Sequence, residues 1–465
     1  MELAAYAALS VLALWIVVSG LDDLVILLAW LYGILRSRPS IIPPGDPRLD
    51  GPERPIAVFL PLWREHAVIR RMLERNLEGI RYGNYEVFAG AYPNDGPTLD
   101  VLRRCESRFP KVHLAVCPRD GPTSKADCLN AVWRAMHVWE EKHGRRFEVI
   151  VIHDAEDLIH PEEMRWFNHY AGAYGMVQVP VLPLPTPLHR VTHGVYCDEF
   201  AEYQTKDVPA RQMLGGFIPS NGVGTGYARG ALESLAASGV LFETCCLTED
   251  YDTGYRLHRL GWRELFIPLH WRHGHPVATR EYFPMDGALA RRQRTRWVIG
   301  ITLQSWERHG WGRNWREAYW FWRDRKGLVG NLVSVVANIV GTAAAVGWAL
   351  GLQPPPATQL FAVTLVLQSA GLAARTCCVA RIYGFGFALG VPIRMFWANW
   401  LNAGATVAAL WEYAEARMKG AELPWNKTDH VYPEPDPDEV PALPAVSLRP
   451  LAVRKIGFEL QKDQR

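Results

Sequence analysis

Val149-Ile-Val-Ile-His-Asp-Ala-Glu-Asp157 sets a run of four apolar residues and one histidine before three carboxylates, Asp154, Glu156 and Asp157. A short continuous apolar run predicts a strand buried on both faces, as in a parallel sheet. Sheets of that kind hold their ligands beyond the carboxyl ends of the strands. Two carboxylates separated by one residue at such an end can point one oxygen at a divalent ion and another at a ribose. Hard oxygen donors suit Mg²⁺ or Mn²⁺, which also bind diphosphates. The plainer explanation is an acidic lead-in to a helix starting near Pro161, which the helix dipole alone would favour.

The chain around this stretch repeats its pattern. Short apolar strands are predicted at 56–60, 85–89, 112–116 and 148–152, each running into a polar turn, with helices at 72–79 and 128–143 between them. Strands alternating with helices predict an α/β fold with a mostly parallel sheet and crossovers. Glu65, Asp95 and Asp154 then fall together at the carboxyl edge.

Both ends of the chain have another character. Residues 3–18 carry no charge and come close to the length of about 20 residues that crosses a bilayer. Asp22 and Asp23 follow, then a second apolar run, 24–35, leading to Arg36 and Arg38. That run is short, and fits an interfacial helix or a continuation of the first. Its basic exit places the next domain on the cytoplasmic side. The first run lacks the basic start and small-residue cleavage site of a signal peptide. Residues 39–55 form a Pro-rich linker. After Trp311 come apolar stretches at 328–352 and 360–374, separated by Gln353 and three prolines. A third, 395–411, has basic residues on both sides (Arg394; Arg417 and Lys419), as expected of a helix lying on the cytoplasmic face. Residues 433–465 have too little apolar surface for a core and read as an extended tail. The expected organisation is a membrane helix region 1–38, linker 39–55, catalytic domain with interface helix 56–310, transmembrane and interfacial helices 311–432, and tail 433–465.

A net charge of +2 over 465 residues makes no case for nucleic acid as a partner. The eight cysteines form no C-x-x-C and read as reduced thiols of a cytosolic part.

Further candidates lie downstream. Thr248-Glu-Asp250 opens a helical stretch, so Thr248 could cap it with Glu249 and Asp250 in its first turn. Alternatively, Asp250 is a general base that takes a proton from a hydroxyl. In Gln293-Arg-Thr-Arg-Trp297, the planar fork of Arg296 suits a diphosphate and Trp297 could stack on a sugar. The same stretch also reads as a basic helix at a membrane surface, with Arg292 and Arg296 on one face and Arg291 and Arg294 on another. Gly222-Val-Gly-Thr-Gly226 lacks the Lys of a phosphate-binding loop and fits a tight turn lining an acceptor pocket. His270, His273 and His275 match no standard zinc spacing.

Taken in order, these pieces resemble the family 2 glycosyltransferases, in their membrane-bound processive branch. The resemblance runs from Glu65 through Asp95, Lys125-Ala-Asp-Cys-Leu-Asn130, Asp154-Ala-Glu156 and Thr248-Glu-Asp250 to Gln293-x-x-Arg-Trp297. Ser19-Gly-Leu-Asp-Asp23, His153-Asp-Ala-Glu-Asp157 and Trp425-Asn-Lys-Thr-Asp-His430 are similar to the glycosyltransferase part of NfrB-type phage adsorption proteins. The resemblance implies a GT-A type (Rossmann-like) domain with flanking transmembrane and interfacial helices, in a bacterial cytoplasmic (inner) membrane. It implies inverting transfer from a nucleotide sugar, with UDP favoured, to a growing glycan, beside a lipid bilayer and an outer-membrane or periplasmic export partner. Glu65 and Asp95 would hold the nucleoside, and Lys125 would lie near the base or diphosphate. Asp154 and Glu156 would bind Mg²⁺ or Mn²⁺ and the diphosphate. Asp250 would be the base, Gln293 and Arg296 would face the donor, and Glu249 and Trp297 the acceptor.

Two departures stand out. The second carboxylate of the Asp-x-Asp motif is Glu156, one methylene longer, which leaves open whether Glu156 or Asp157 reaches the metal. The tail also lacks the Arg-x-x-x-Arg of a PilZ domain, so control by cyclic di-GMP is expected to need a partner chain. Two other readings compete. Enzymes that add one sugar to a polyprenyl phosphate usually lack Gln-x-x-Arg-Trp, and a non-catalytic envelope scaffold has no need of an acid at 250 and an Arg at 296.

Overall fold

The computed structural model describes residues 2–36, 41–272, 274–351, 359–421, 423 and 432. The 425–430 motif, the 433–465 tail, the 353–356 turn, Arg38 and His273 lie outside these residues.

Eight strands matter for the site: β1 (Ile56–Pro61), β2 (Tyr85–Ala91), β3 (Val112–Val116), β4 (Val149–Ile152), β5 (Met176–Gln178), β6 (Val181–Pro183), β7 (Thr225–Ala228) and β8 (Glu264–Phe266). Seven of them form one sheet in the order β3-β2-β1-β4-β7-β5-β8. β3, β2, β1 and β4 are parallel neighbours. β7 runs antiparallel to both β4 and β5, and β5 pairs in parallel with β8. β6 pairs apart from the sheet, with Thr279–Glu281. The α/β expectation thus holds for the first half, and the second half adds one reversed strand.

The apolar runs are continuous because the sheet is covered on both sides. Along β1, Ile56, Val58 and Leu60 join one core with the helices Ile69–Gly79 and Gly96–Arg108. Ala57 and Phe59 join the other, with helix Lys125–His143. β4 divides the same way, Val149 and Val151 to the first core and Ile150 and Ile152 to the second. This period of two places every residue of a central strand against a helix layer. It also leaves only the strand ends free to meet a ligand. Reversal of β7 has a direct consequence for the site. Ile152 pairs with Thr225, so the chain entering β7 lies beside the carboxyl end of β4.

The two N-terminal apolar runs form one helix, Glu2–Leu35. Asp22 and Asp23 are therefore inside it rather than at a break. Asp22 is buried because it is matched: Tyr319 Oη donates to it at 2.6 Å and Lys326 Nζ at 2.7 Å, with Arg323 also paired to it. Among the described residues, three helices are long and apolar enough to cross a membrane: Leu9–Leu35, Trp315–Gly347 and Gln359–Tyr383. Helix Val391–Lys419 is not among them. It packs along Gly327–Ala349 and the interface helix Gly287–Trp297.

Asp22→Ala would remove the buried partner of the half-buried Arg323 and Lys326 and leave Lys326 with Asp23. Breaking a buried ion pair by removing one partner costs roughly 3–5 kcal/mol, and Asp23 and Asp207 still face Arg323. The expected result is a loss at the low end of that range, read as a lower midpoint of thermal unfolding in detergent. An unchanged midpoint would mean that this cluster does not hold the helix.

Candidate active site

Lys125 is the first residue of helix Lys125–His143, whose N-cap Ser124 accepts from Asp127 N at 3.2 Å. The cap fixes the helix start, and the start aims Lys125 at the end of β4. Its Nζ lies 2.7 Å from Asp154 Oδ1 and 2.8 Å from Oδ2, and donates to Gly222 O at 3.2 Å. Burial would lower the Lys125 pKa, but Asp154 and Glu249 outweigh it and hold the ammonium well above its ordinary value. The strand β4, the helix and the turn before β7 are thereby tied at one point.

That turn explains the glycines. Gly222 and Gly224 have φ of +75° and +56°, a region costly for residues with a Cβ. A Cβ on Gly222 would stand 2.6 Å from Asp250 Oδ2. The other oxygen, Oδ1, accepts from Tyr251 N at 2.8 Å. Asp250 is thus gripped between a turn with no side chain and its own helix start. Gly222→Ala would push the carboxylate aside, and if that carboxylate is the base expected from the sequence, misplacing it by about 1 Å can cost about 10²-fold in rate. The expected outcome is a fall of that order in turnover with nucleotide binding kept. Equal loss of both would point to a collapsed site instead.

Thr248 occupies the cap position of helix Glu249–Arg259, yet its side chain makes no capping bond. It packs against Gly300 instead. Side-chain capping by Thr248 therefore does not explain the motif. Glu249 is buried beside Asp250, and burial, with Asp250 next, pushes its pKa up to about 7. Burial also raises Asp250, opposed by Lys125 and Arg296.

Behind the β4 turn, Asp157 faces away from the opening. Its Oδ2 lies 2.8 Å from His153 Nδ1 and accepts from Asp154 N at 3.0 Å. His153 Nε2 faces Glu163 Oε1 at 3.0 Å. Burial would depress this imidazole, but the two carboxylates outweigh it and hold its pKa near 10. The result is a buried Asp157–His153–Glu163 brace under the turn.

Lys125, Asp154, Glu156, Glu249, Asp250, Gln293, Arg296 and Trp297 all line one cavity of about 510 Å³. Glu65 and Asp95 do not line it. They shape the turn after β1, where Arg64 has φ +56° and its N–H donates to Asp95 Oδ2 at 2.6 Å. The interface helix sorts its arginines differently from a simple two-face reading. Arg291 and Arg292 are exposed, Arg296 reaches the cavity, and Arg294 is buried against Glu199 at 2.7 Å. Gln293 Oε1 and Arg296 Nε are buried atoms with no hydrogen-bond partner among the described residues. Buried polar atoms are normally satisfied, and both of these residues line the cavity.

The cavity also takes Glu202, Tyr203, Asp207, Asp324 and Arg375, which sequence reasoning did not single out. None sits in a recognisable motif, and no local pattern marks them. Among the described residues, no group of three or more His, Cys, Asp or Glu could hold a metal. Asp154 and Glu156 nevertheless suit a Mg²⁺ or Mn²⁺ ion that takes one or two protein carboxylates and completes its shell with substrate phosphates and water.

The glycosyltransferase like family 2 profile matches residues 52–300 of this chain, from the linker before β1 to the interface helix. The chain belongs to that family. It is 35% identical over 95% of its length to Bacteriophage adsorption protein B of Escherichia coli (strain K12), and equally to Bacteriophage N4 adsorption protein B of Escherichia coli O157:H7. It spans 63% of the length of these curated relatives. Among solved structures, the mannosyltransferase PcManGT from Pyrobaculum calidifontis, in complex with GDP-Man and Mn²⁺, is similar over 87% of this chain and 99% of its own. The TM-score is 0.53 and the identity 17%. That likeness supports the GT-A fold of this family 2 chain.

Proposed function

We propose that this family 2 chain is an inverting glycosyltransferase that extends a glycan from a nucleotide-sugar donor at the 510 Å³ cavity. The observation that carries the reading is convergence. Eight residues from four separate motifs, each explicable locally, share one cavity wall. Asp250 removes the proton from the acceptor hydroxyl as that oxygen attacks the anomeric carbon opposite the leaving group. Arg296 and Gln293 receive the departing diphosphate, and Trp297 offers its face to the acceptor. Asp154 and Glu156 would hold a divalent ion, which when bound offsets the charge of the diphosphate. Lys125 shields Asp154 and keeps a fixed cation at the same place, the kind of preorganised charge that often dominates rate enhancement. The mannosyltransferase neighbour's complex with GDP-Man and Mn²⁺ supports a nucleotide-sugar donor and a divalent ion. UDP is the nucleotide we favour. Glu65 and Asp95 serve the nucleoside end from the turns after β1 and β2.

The catalytic part, 56–310, would sit on the cytoplasmic face of a bacterial inner membrane, anchored by the helices of 1–38 and 311–432, and pass its glycan to an export partner. Among the described residues, three helices long and apolar enough to cross a membrane support the anchoring. Products made by purified protein test the reading. The expected product carries more than one added sugar, in a linkage of anomeric configuration opposite to that of the donor. Retained configuration would sink the inverting mechanism, and single addition to a polyprenyl phosphate would sink glycan extension.

A further inference from the structure

The helix that carries Asp250, Glu249–Arg259, is held along its length by one later segment, the helices Ser305–His309 and Trp315–Arg325. Tyr251 Oη donates to Asp324 Oδ2 at 2.6 Å. Asp252 accepts from Arg308 Nε at 3.0 Å and lies 2.7 Å from His309 Nε2. Tyr255 Oη donates to Glu317 Oε2 at 2.7 Å. The first of these contacts is special, because Tyr251 also supplies the backbone N–H that holds Asp250 Oδ1. Both Tyr251 and Asp324 line the cavity.

Asp324 is itself fixed. Arg211 meets it with a fork, Nη1 to Oδ1 at 2.7 Å and Nη2 to Oδ2 at 3.1 Å. Arg211 is anchored in turn, donating through Nε to Phe217 O at 2.6 Å, with its guanidinium 4.1 Å from the Phe217 ring. A phenol donating to a carboxylate at this distance is a charge-assisted bond, stronger than one between neutral groups. The ring of Tyr251 is therefore pinned at its far end by a rigid ion pair and at its near end by the helix start. Its backbone cannot drift without breaking one of these.

We propose that Asp324 is a positioning residue for transfer: through Tyr251 it fixes the carboxylate of Asp250 against the acceptor. The inference rests on the reading of Asp250 as base and deepens it. A merely structural role for the trio Arg211, Asp324 and Tyr251 predicts that weakening it loosens the whole cavity, donor end included. A positioning role predicts that only the chemical step suffers.

The test uses the full chain in detergent or bilayers, with Tyr251→Phe, Asp324→Asn, the double variant, and Asp250→Asn alongside. Turnover, donor KM and binding of the nucleoside diphosphate are read for each. Each single variant is expected to lose about 10- to 100-fold in kcat, with donor KM and nucleoside diphosphate affinity unchanged. The double variant is expected to fall no further than the worse single one, because both changes break the same link. Where Asp324→Asn fails to fold, Tyr251→Phe removes one oxygen only and carries the test alone. Wild-type kcat in these variants, multiplying losses in the double, or a nucleotide affinity that falls in step with kcat would each overturn the inference. If Asp250→Asn keeps its turnover, the reading of the base fails first and this inference falls with it. If Asp250→Asn is inactive while Tyr251→Phe and Asp324→Asn run at full rate, only the positioning role is lost.

Discussion

Asp250→Asn is expected to lose about 10²–10⁴-fold in turnover, the usual contribution of a positioned acid or base, while the nucleotide sugar binds as before. The amide keeps the shape of the carboxylate, so the contact with Gly222 and the helix start survive. What disappears is the basic oxygen. The proposed donor end, with Lys125, Asp154 and Arg296 in the same cavity lining, is left in place. The pH profile of the unmodified enzyme offers a second check. Burial raises the Asp250 pKa, so in the proposed mechanism the base is protonated and lost as pH falls through a value above the ordinary Asp range near 4. The acid limb of kcat is expected there, and it should vanish in Asp250→Asn. Undiminished turnover in the variant would end the assignment.

Asp154→Asn is expected to act on the other end of the cavity. This residue faces Lys125 through both oxygens, and in the proposed mechanism it is one of only two protein carboxylates holding the divalent ion. Losing one of two leaves a shell built mostly from substrate and water. Metal assistance supplies several kcal/mol, so kcat/KM should fall by about 10²–10⁴-fold at 1.36 kcal/mol per decade. The Mn²⁺ or Mg²⁺ concentration for half-maximal activity should rise as well. That second readout separates the variant from Asp250→Asn, in which the metal titration stays put. A metal titration unchanged in Asp154→Asn would remove this residue from the ion's shell.

Much of the first half of the fold was legible in the chain. β1 and β4 are buried on both faces, so their apolar runs are uninterrupted and stand out against polar turns. β5, β7 and β8 are short, at three or four residues, and their pairing depends on partners far away in sequence. No local pattern predicts that β7 would reverse. The same contrast applies at the site. Asp154, Glu156 and Lys125 sit at strand and helix ends, where sequence marks them. Asp324 and Arg375 reach the cavity from helices after the interface helix, and only tertiary contact makes them neighbours. Asp22 and Asp23 look like a break in an apolar run because their partners are distant. Arg323, which neutralises Asp22, comes 301 positions later. Asp157 shows the limit from the other side. Sequence spacing left it equal to Glu156, and only the buried imidazole of His153 separates the two.

The central claim is that this cavity transfers sugar from a nucleotide, with Asp250 as the base. It is tested most directly by release of nucleoside diphosphate from a panel of UDP- and GDP-sugars, with the purified protein and a glycan acceptor. Mg²⁺ and Mn²⁺ are each supplied or withheld. The account predicts release from at least one donor, dependent on metal and acceptor, and lost in Asp250→Asn. Release from no donor, or equal release by the variant, would contradict it.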